Sequence, residues 1–507
     1  MFIATAYALR FTVDDAYIAM RYARHLAEGH GLVYNIGERV EGYTSLLWVL
    51  ILAAARRLGF GMVTASHVIG IALSVLTLIL VYRMAARALP AEATVGRLFP
   101  VLFLATSWIY AGWATGGLET ALFAFLTVLA VNALQSRVSA SSPALDWLPL
   151  IGLLLVLTRP EGLLMAGVIG LASLVSDVRL GRRPLLTVTR WLLVFALPLV
   201  ILEMWRLRYY GEWLPNTFYV KVNKVEYVER GWPFFMSFVR DSLFDVWGPV
   251  ALAALSFRDL ISTSVIAYSA LYIAYTIWVG GDWMGYRFYH HLLPLLSLPL
   301  AQVVGRGVHE LTAPPPTGVR PPLALRVRSA LLIACAMAMA VVVGATAYKT
   351  YREGRATRLT MGELDNYEAM DTPEEWAIET GWGIDAVLRP GEAAAATFAG
   401  FTALYTDHTV IDSLGLSDKY VARLPAIRGG PGHEKFAPAE YLLSRYVLLV
   451  NPWPGHDLAS ANRRYAVEYA PGGFLYFDAL LPPSRVAELF AGRGFKVWLN
   501  REPLVDR

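Results

Sequence analysis

Two adjacent carboxylates, Asp14 and Asp15, are the residues whose type and spacing most suggest chemistry. A carboxylate held beside a hydroxyl takes its proton as a general base. Consecutive residues of a helix point about 100° apart, so the two acids cannot reach one atom in the same way. One is expected to face a substrate while the other orients or caps. The competing reading is that both merely complement a helix dipole.

A second group is cationic. Arg206, Arg208, Lys221 and Lys224 lie in an aromatic-rich stretch, Arg206-Leu-Arg-Tyr-Tyr-Gly-Glu-Trp-Leu-Pro-Asn-Thr-Phe-Tyr-Val-Lys-Val-Asn-Lys224. This is either an interfacial aromatic belt with snorkelling cations or a site for an anionic headgroup, whose phosphate oxygens match arginine forks. Polar groups also gather at Gly116-Gly-Leu-Glu119, Thr158-Arg-Pro-Glu-Gly162 and Gly280-Gly-Asp-Trp-Met-Gly-Tyr-Arg-Phe-Tyr-His-His291. Each reads singly as an ordinary capped loop. Together Glu119, Arg159, Glu161, Asp282 and Arg287 suggest a polar chamber, because charge near hydrocarbon is expensive and faces a cavity or a partner. His290-His291 lacks a third ligand at convincing spacing, so a histidine metal site is not expected. Asp241 and Asp245 share a helix face, and Arg240 makes a local ion pair the simpler reading of them. Gly429-Gly-Pro-Gly-His-Glu-Lys435 lacks the ending of a phosphate-binding loop and reads as a polar loop, with His433 or Lys435 able to touch a ligand.

The elements that position these residues follow from the apolar patterning. Thr12 and Asp15 have the T-x-x-D spacing of a helix start. Ala16, Ala19, Met20, Ala23, Leu26 and Ala27 then recur at helical intervals, with Tyr17, Arg21, Arg24 and Glu28 on another face. This predicts a short helix lying along an interface and closed at Gly29-His30-Gly31. With 507 residues, mean hydropathy +0.46 and 17% charged residues, the chain reads as a polytopic α-helical membrane protein. The single cysteine, Cys335, excludes a disulfide framework, and a net charge of +4 says little about nucleic acid. Met1–Leu9 lacks the marks of a signal peptide and is too short for a span, so a truncated first span or a misplaced start is expected.

Spans are predicted near 63–82, 98–113, 118–135, 147–159, 161–177, 188–206, 234–256, 261–279, 288–304 and 329–347, about eleven with the truncated first. Tyr43–Leu58 is placed as a half-buried helix in the first external loop, because that choice keeps Arg83, Arg87 and Arg97 inside. The N-terminus is then inside and the C-terminus outside. Thr312–Pro322 reads as an inner linker. Residues 1–347 are taken as a transmembrane catalytic domain with its first external loop at 11–62, and 348–507 as an extracytoplasmic α/β domain. Within the latter, Ala393–Ala399, Thr409–Ile411 and Tyr446–Val450 read as strands and Pro438–Arg445 as a helix.

These residues carry a resemblance. Phe11-Thr-Val-Asp-Asp-Ala-Tyr-Ile18 followed by Gly29-His-Gly-Leu-Val-Tyr-Asn-Ile-Gly-Glu-Arg-Val-Glu-Gly-Tyr-Thr44 resembles the first external loop of GT-C glycosyltransferases, nearest to the arabinofuranosyltransferase B-like branch, some members of which are called flagellar motor control proteins. Gly117-Leu-Glu-Thr120, Leu157–Gly162, Tyr210–Tyr219, Gly280–Asp282 and the stretch from Asp412-Ser-Leu-Gly-Leu-Ser-Asp418 to Lys435 extend it over nearly the whole chain. The resemblance implies a multi-pass GT-C fold with an external active site. It implies transfer of a sugar, with a pentose such as arabinofuranose suggested, from a polyprenyl-phosphate donor to a cell-envelope glycan or lipid acceptor. Carried over residue by residue, it makes Asp14 and Asp15 the catalytic acids.

The chemistry of such a transfer agrees. The leaving phosphate gains charge as the anomeric bond breaks, so cations there stabilise the transition state. General base catalysis and direct carboxylate attack both stay open. No cofactor is called for, a divalent cation is left open, and the membrane lipid is a partner while nucleic acid is not. The location expected is the cytoplasmic membrane, with the active site and C-terminal domain on its outer side and the C-terminal domain helping to bind the acceptor. The alternatives are a lipid-linked sugar flippase, which would need ionisable groups or broken helices near the midplane, and a non-enzymatic envelope or motor-associated factor.

Overall fold

The structure is a computed structural model, described here for residues 1–139, 146–221, 227–255, 259–282, 284–312, 323–356, 373–426, 434–453, 465–500 and 502–503. Lys224, His433 and most of the proposed linker Thr312–Pro322 lie outside the described residues. The chain divides into two compact units, each built from non-contiguous segments.

The first unit comprises Met1–Arg10, His67–Leu202 and Val225–Ala369 and is helical. Among the described residues of the whole chain, six helices are long and apolar enough to cross a membrane: Met62–Ala88, Thr120–Ser139, Gly162–Arg179, Pro184–Tyr210, Leu260–Trp278 and Ser329–Thr350. Shorter apolar helices span Thr94–Ala105, Leu148–Thr158 and Phe244–Ala254. Two expected segments are each divided. Within 98–113 the chain breaks at Thr106 and Ser107, where Ser107 caps a new short helix by accepting from the Tyr110 amide at 3.4 Å. Within 234–256 it breaks at Leu243, which has a left-handed φ of 58°. Small residues let helices meet closely, as where Gly96 of Thr94–Ala105 faces Gly305 of Leu292–Thr312. Buried charge is compensated, with Arg137 bonded to Asp146 at 2.5 Å, Asp177 at 2.7 Å and Thr187 at 2.8 Å.

The second unit joins Phe11–Ser66, Glu203–Lys224 and Met370–Arg507. The expected α/β architecture is present in it. Among the described residues, seven strands run in the order β2-β1-β3-β5-β4-β6-β7, with β1 (Ala393–Ala396) parallel to β2 (Thr409–Asp412) and β3 (Val447–Trp453). Strands β4 (Tyr465–Ala470), β5 (Gly473–Asp478), β6 (Val497–Leu499) and β7 (Glu502–Pro503) complete the sheet with antiparallel pairings. Parallel neighbours need crossovers. Helix Ala399–Leu404 supplies one between β1 and β2, and Ala439–Ser444 precedes β3. Ala393, Ala395, Ile411, Leu442 and Val447 form the core between sheet and helix.

The acid-bearing helix runs Asp14–Glu28 and packs on both Ala399–Leu404 and Leu46–Arg57. Its cap differs from the sequence reading. The N-cap is Val13, without a side-chain bond, one residue beyond the Thr12 that the T-x-x-D spacing marks. The other end is as expected, because Gly29 takes a left-handed φ of 93° and its amide reaches the last turn. Tyr17 and Arg21, placed by periodicity on a different face from the apolar residues, are also fully buried. The helix is covered on two sides rather than lying on one.

Candidate active site

Asp14 opens its helix half-buried, with its carboxylate aimed at the first turn of Ala399–Leu404. Its Oδ1 accepts the Phe401 amide at 2.8 Å and its Oδ2 the Gly400 amide at 3.1 Å. Gly400 is required at this approach: a Cβ there would overlap the Asp14 carbonyl oxygen and stand 2.9 Å from Oδ1. Burial pushes the Asp14 carboxyl up to about 7, helped by the charges of Asp15 and Asp412 and opposed by the two amide bonds. Asp15, next on the helix, is also half-buried.

Sequence reasoning missed the residue that fastens this helix. Arg21 is fully buried and donates to the carbonyls of Tyr34 at 2.5 Å, Thr406 at 2.8 Å and His408 at 3.1 Å, and to that of Ala403. Arg24 adds bonds to the Leu404 carbonyl at 2.7 Å and to Asp407. The loop after the helix is tied down by tyrosines and an amide. Tyr22 donates to the Val40 carbonyl at 2.7 Å, Tyr34 to that of Ala399 at 2.6 Å, and Asn35 to that of Val410 at 3.1 Å. Asp412, at the end of β2, is buried and accepts the amides of Leu414, Gly415 and Ser417 at 2.8 to 3.1 Å. Burial lifts its carboxyl to about 6 against those bonds.

The cationic stretch belongs to the same unit as the acids. Arg206 pairs with Glu41 at 2.8 Å and Glu203 at 2.5 Å. Glu41 is buried, and its carboxyl is raised to about 7 by that burial against the pull of Arg206. Lys221 is exposed at the end of helix Asn216–Lys221. Arg208 is exposed and lines a groove of about 830 Å³. Lys435, expected in a polar loop as a residue able to touch a ligand, has its ammonium occupied by the protein's own carbonyls. It is buried, with its ammonium on the carbonyls of Ala422 at 2.5 Å and Tyr219 at 2.9 Å.

The remaining candidates are in the first unit. Arg159 is buried between Glu161 at 2.6 Å and Glu119 at 3.5 Å, and Arg287 pairs with Asp282 at 2.9 Å. His291 bonds the Tyr268 hydroxyl at 2.8 Å, while the His290 ring stacks on Tyr110 at 5.0 Å between centroids. Among the described residues, no three His, Cys, Asp or Glu side chains converge as a metal-binding set.

Comparison with known proteins gives three kinds of similarity. Residues 365–487 match a domain of unknown function, DUF8728. A terminal β-(1→2)-arabinofuranosyltransferase of Corynebacterium glutamicum is 26% identical over 359 residues, covering 59% of this chain and 49% of the relative. A terminal β-(1→2)-arabinofuranosyltransferase of Mycobacterium tuberculosis is 28% identical over 260 residues, covering 48% and 40%. The chain thus spans about half the length, or less, of the curated relatives it matches. The structure of ArnT from Cupriavidus metallidurans bound to undecaprenyl phosphate superposes with a TM-score of 0.51 at 12% identity, over 81% of this chain and 83% of that one. These likenesses bear out the resemblance carried by the motifs: this is a multi-pass helical membrane protein of the GT-C fold with a C-terminal α/β domain, similar in sequence to arabinofuranosyltransferases.

Proposed function

We propose that the chain is a membrane glycosyltransferase that moves a sugar from a polyprenyl-phosphate donor to a cell-envelope glycan or lipid acceptor. The reaction belongs at the outer face of the cytoplasmic membrane, with the N-terminus inside and the C-terminal domain outside. The similarity to arabinofuranosyltransferases supports a pentofuranose as the sugar, and the lipid phosphate in the ArnT complex supports the carrier. The observation that carries the reading is Asp14, a half-buried carboxylate fixed by two amides with its carboxyl near 7. A base works best when its pKa lies near the operating pH.

In this scheme Asp14 takes the acceptor hydroxyl's proton as that oxygen attacks the anomeric carbon, and the phosphate leaves with the bonding electrons. Asp15 contributes charge that raises the basicity of its neighbour. Arg206, oriented by Glu41 and Glu203, and the exposed Lys221 are assigned to the developing negative charge on the phosphate. Arg159 and Arg287, each held by carboxylates, are the first unit's candidates for the lipid-borne phosphate. The C-terminal domain, with residues 11–66 and 203–224 bound into its unit, is assigned to acceptor binding.

Reconstituted vesicles offered a panel of polyprenyl-phosphate sugars should form a glycosylated product detectable by its mass. Asp14→Asn should lower that transfer by about a hundredfold or more. Wild-type transfer by both Asp14→Asn and Asp15→Asn would overturn the assignment.

A further inference from the structure

We infer that the groove in the second unit binds an acidic saccharide, a sugar chain bearing carboxylate or phosphate groups. Its walls come from Gly37–Val40, Arg208–Gly211 and Asp418–Tyr420, with Tyr441 and Arg445. At about 830 Å³ it has the size of a site for several rings rather than for a single ion.

Charge selects the ligand's sign. Four cations, Arg39, Arg208, Lys419 and Arg445, face two carboxylates, Glu38 and Asp418. Both acids are engaged. Glu38 pairs with Arg445, while Asp418 accepts the Tyr420 and Val421 amides at 2.9 Å and the Tyr441 hydroxyl at 2.6 Å. Lys419 donates to the Tyr210 carbonyl at 2.8 Å. Arg39 and Arg208 are exposed and, among the described residues, have no carboxylate partner. An anion entering the groove therefore gains two guanidinium forks that no internal acid neutralises.

The aromatic rings select a sugar. Tyr420 and Tyr441 stack at 4.2 Å between centroids, and Tyr420 is 49% exposed. The Arg39 guanidinium carbon lies 4.7 Å from the centre of the Tyr209 ring, a cation–π contact that holds the charge at the wall. Tyrosine offers an apolar face to the C–H side of a sugar ring and a hydroxyl to its polar edge. A lipid tail would have to strip water from these charges. A dense polyanion would meet Glu38 and Asp418. The groove's role as acceptor site rests on the transferase reading, whereas its binding of acidic sugars does not.

The test is binding to the solubilised full chain of tetragalacturonate, a phosphorylated mannose tetrasaccharide, neutral maltotetraose and inorganic phosphate, read by calorimetry. Either acidic tetrasaccharide should bind at least about tenfold more tightly than maltotetraose or phosphate, and Arg39→Gln should weaken it by about tenfold. Tyr420→Ala should weaken it comparably, with the thermal midpoint of each variant confirming the fold. Equal binding of all four probes would overturn the inference, as would acidic binding unchanged in both variants. Binding only to vesicles of anionic phospholipid would assign the groove to a headgroup and overturn it too. Sugar transfer without acidic binding removes this inference alone, and acidic binding without transfer from any donor removes the transferase reading alone.

Discussion

Each oxygen of Asp14 accepts one amide, which leaves each a second lone pair for a substrate hydroxyl. Because its carboxyl is pushed up to about 7, the proton-accepting form appears only as pH rises through that value. Transfer measured as kcat/KM should therefore climb with pH to a plateau above about 7, and a limb near 4 instead would exclude Asp14 as the titrating base. The acidic pair was legible in the sequence because two adjacent carboxylates in a hydrophobic chain are conspicuous. Arg21 was not: its acceptors Ala403, Thr406 and His408 lie some 380 positions away, and helical periodicity placed it on a different face from the apolar residues. Lysine cannot reproduce that fork of bonds. Arg21→Lys should destabilise the unit by about 2 kcal/mol or more through unsatisfied buried carbonyls, read as a lower denaturation midpoint in detergent.

Among elements, the acid-bearing helix depends on the one it meets. Gly400 lets Ala399–Leu404 approach until its first amides reach Asp14. Gly400→Ala must push the two helices apart. The expected result is double: a lower thermal midpoint, and a rate limb displaced below 7 as the carboxyl regains water. A variant that loses stability while keeping its limb would show that the contact shapes the fold without tuning the acid. The sequence marked these elements unevenly. Apolar runs located β1, β2 and β3, and Gly29 located a helix end, because burial and left-handed φ each leave a local signature. The breaks at Ser107 and Leu243 carry no glycine or proline at the joint, so uninterrupted hydropathy read as single spans.

At the scale of the molecule, the sequence divided the chain in order, at residue 347, whereas contacts gather residues 11–66 and 203–224 with the C-terminal sheet. No periodicity reports such a union, since it rests on carbonyl and amide partners hundreds of residues apart, such as Asn216 on Gly415 at 2.8 Å. Concentrating acids in that unit has a thermodynamic consequence. Burial raises Asp14 and Glu41 to about 7 and Asp412 to about 6, from ordinary values of 3.8, 4.5 and 3.8. Between those limits the folded chain holds protons that the unfolded chain has released, so these groups stabilise fully below about pH 4 and lose that contribution progressively as pH rises from there to 6 to 7. His25 acts oppositely. Its burial lowers it from 6.5 to about 4, so its contribution is lost as pH falls below 6.5. Three carboxyls outweigh one imidazole, so the thermal midpoint should fall as pH rises from about 4.5 to about 7 and level off above that. Glu41→Gln, which keeps a neutral side chain at every pH, should flatten the decline. A midpoint that instead rises steadily from about pH 4.5 to 7 in both proteins would mean that these carboxyls are ionised in the fold, and that Asp14 is no neutral-pH base.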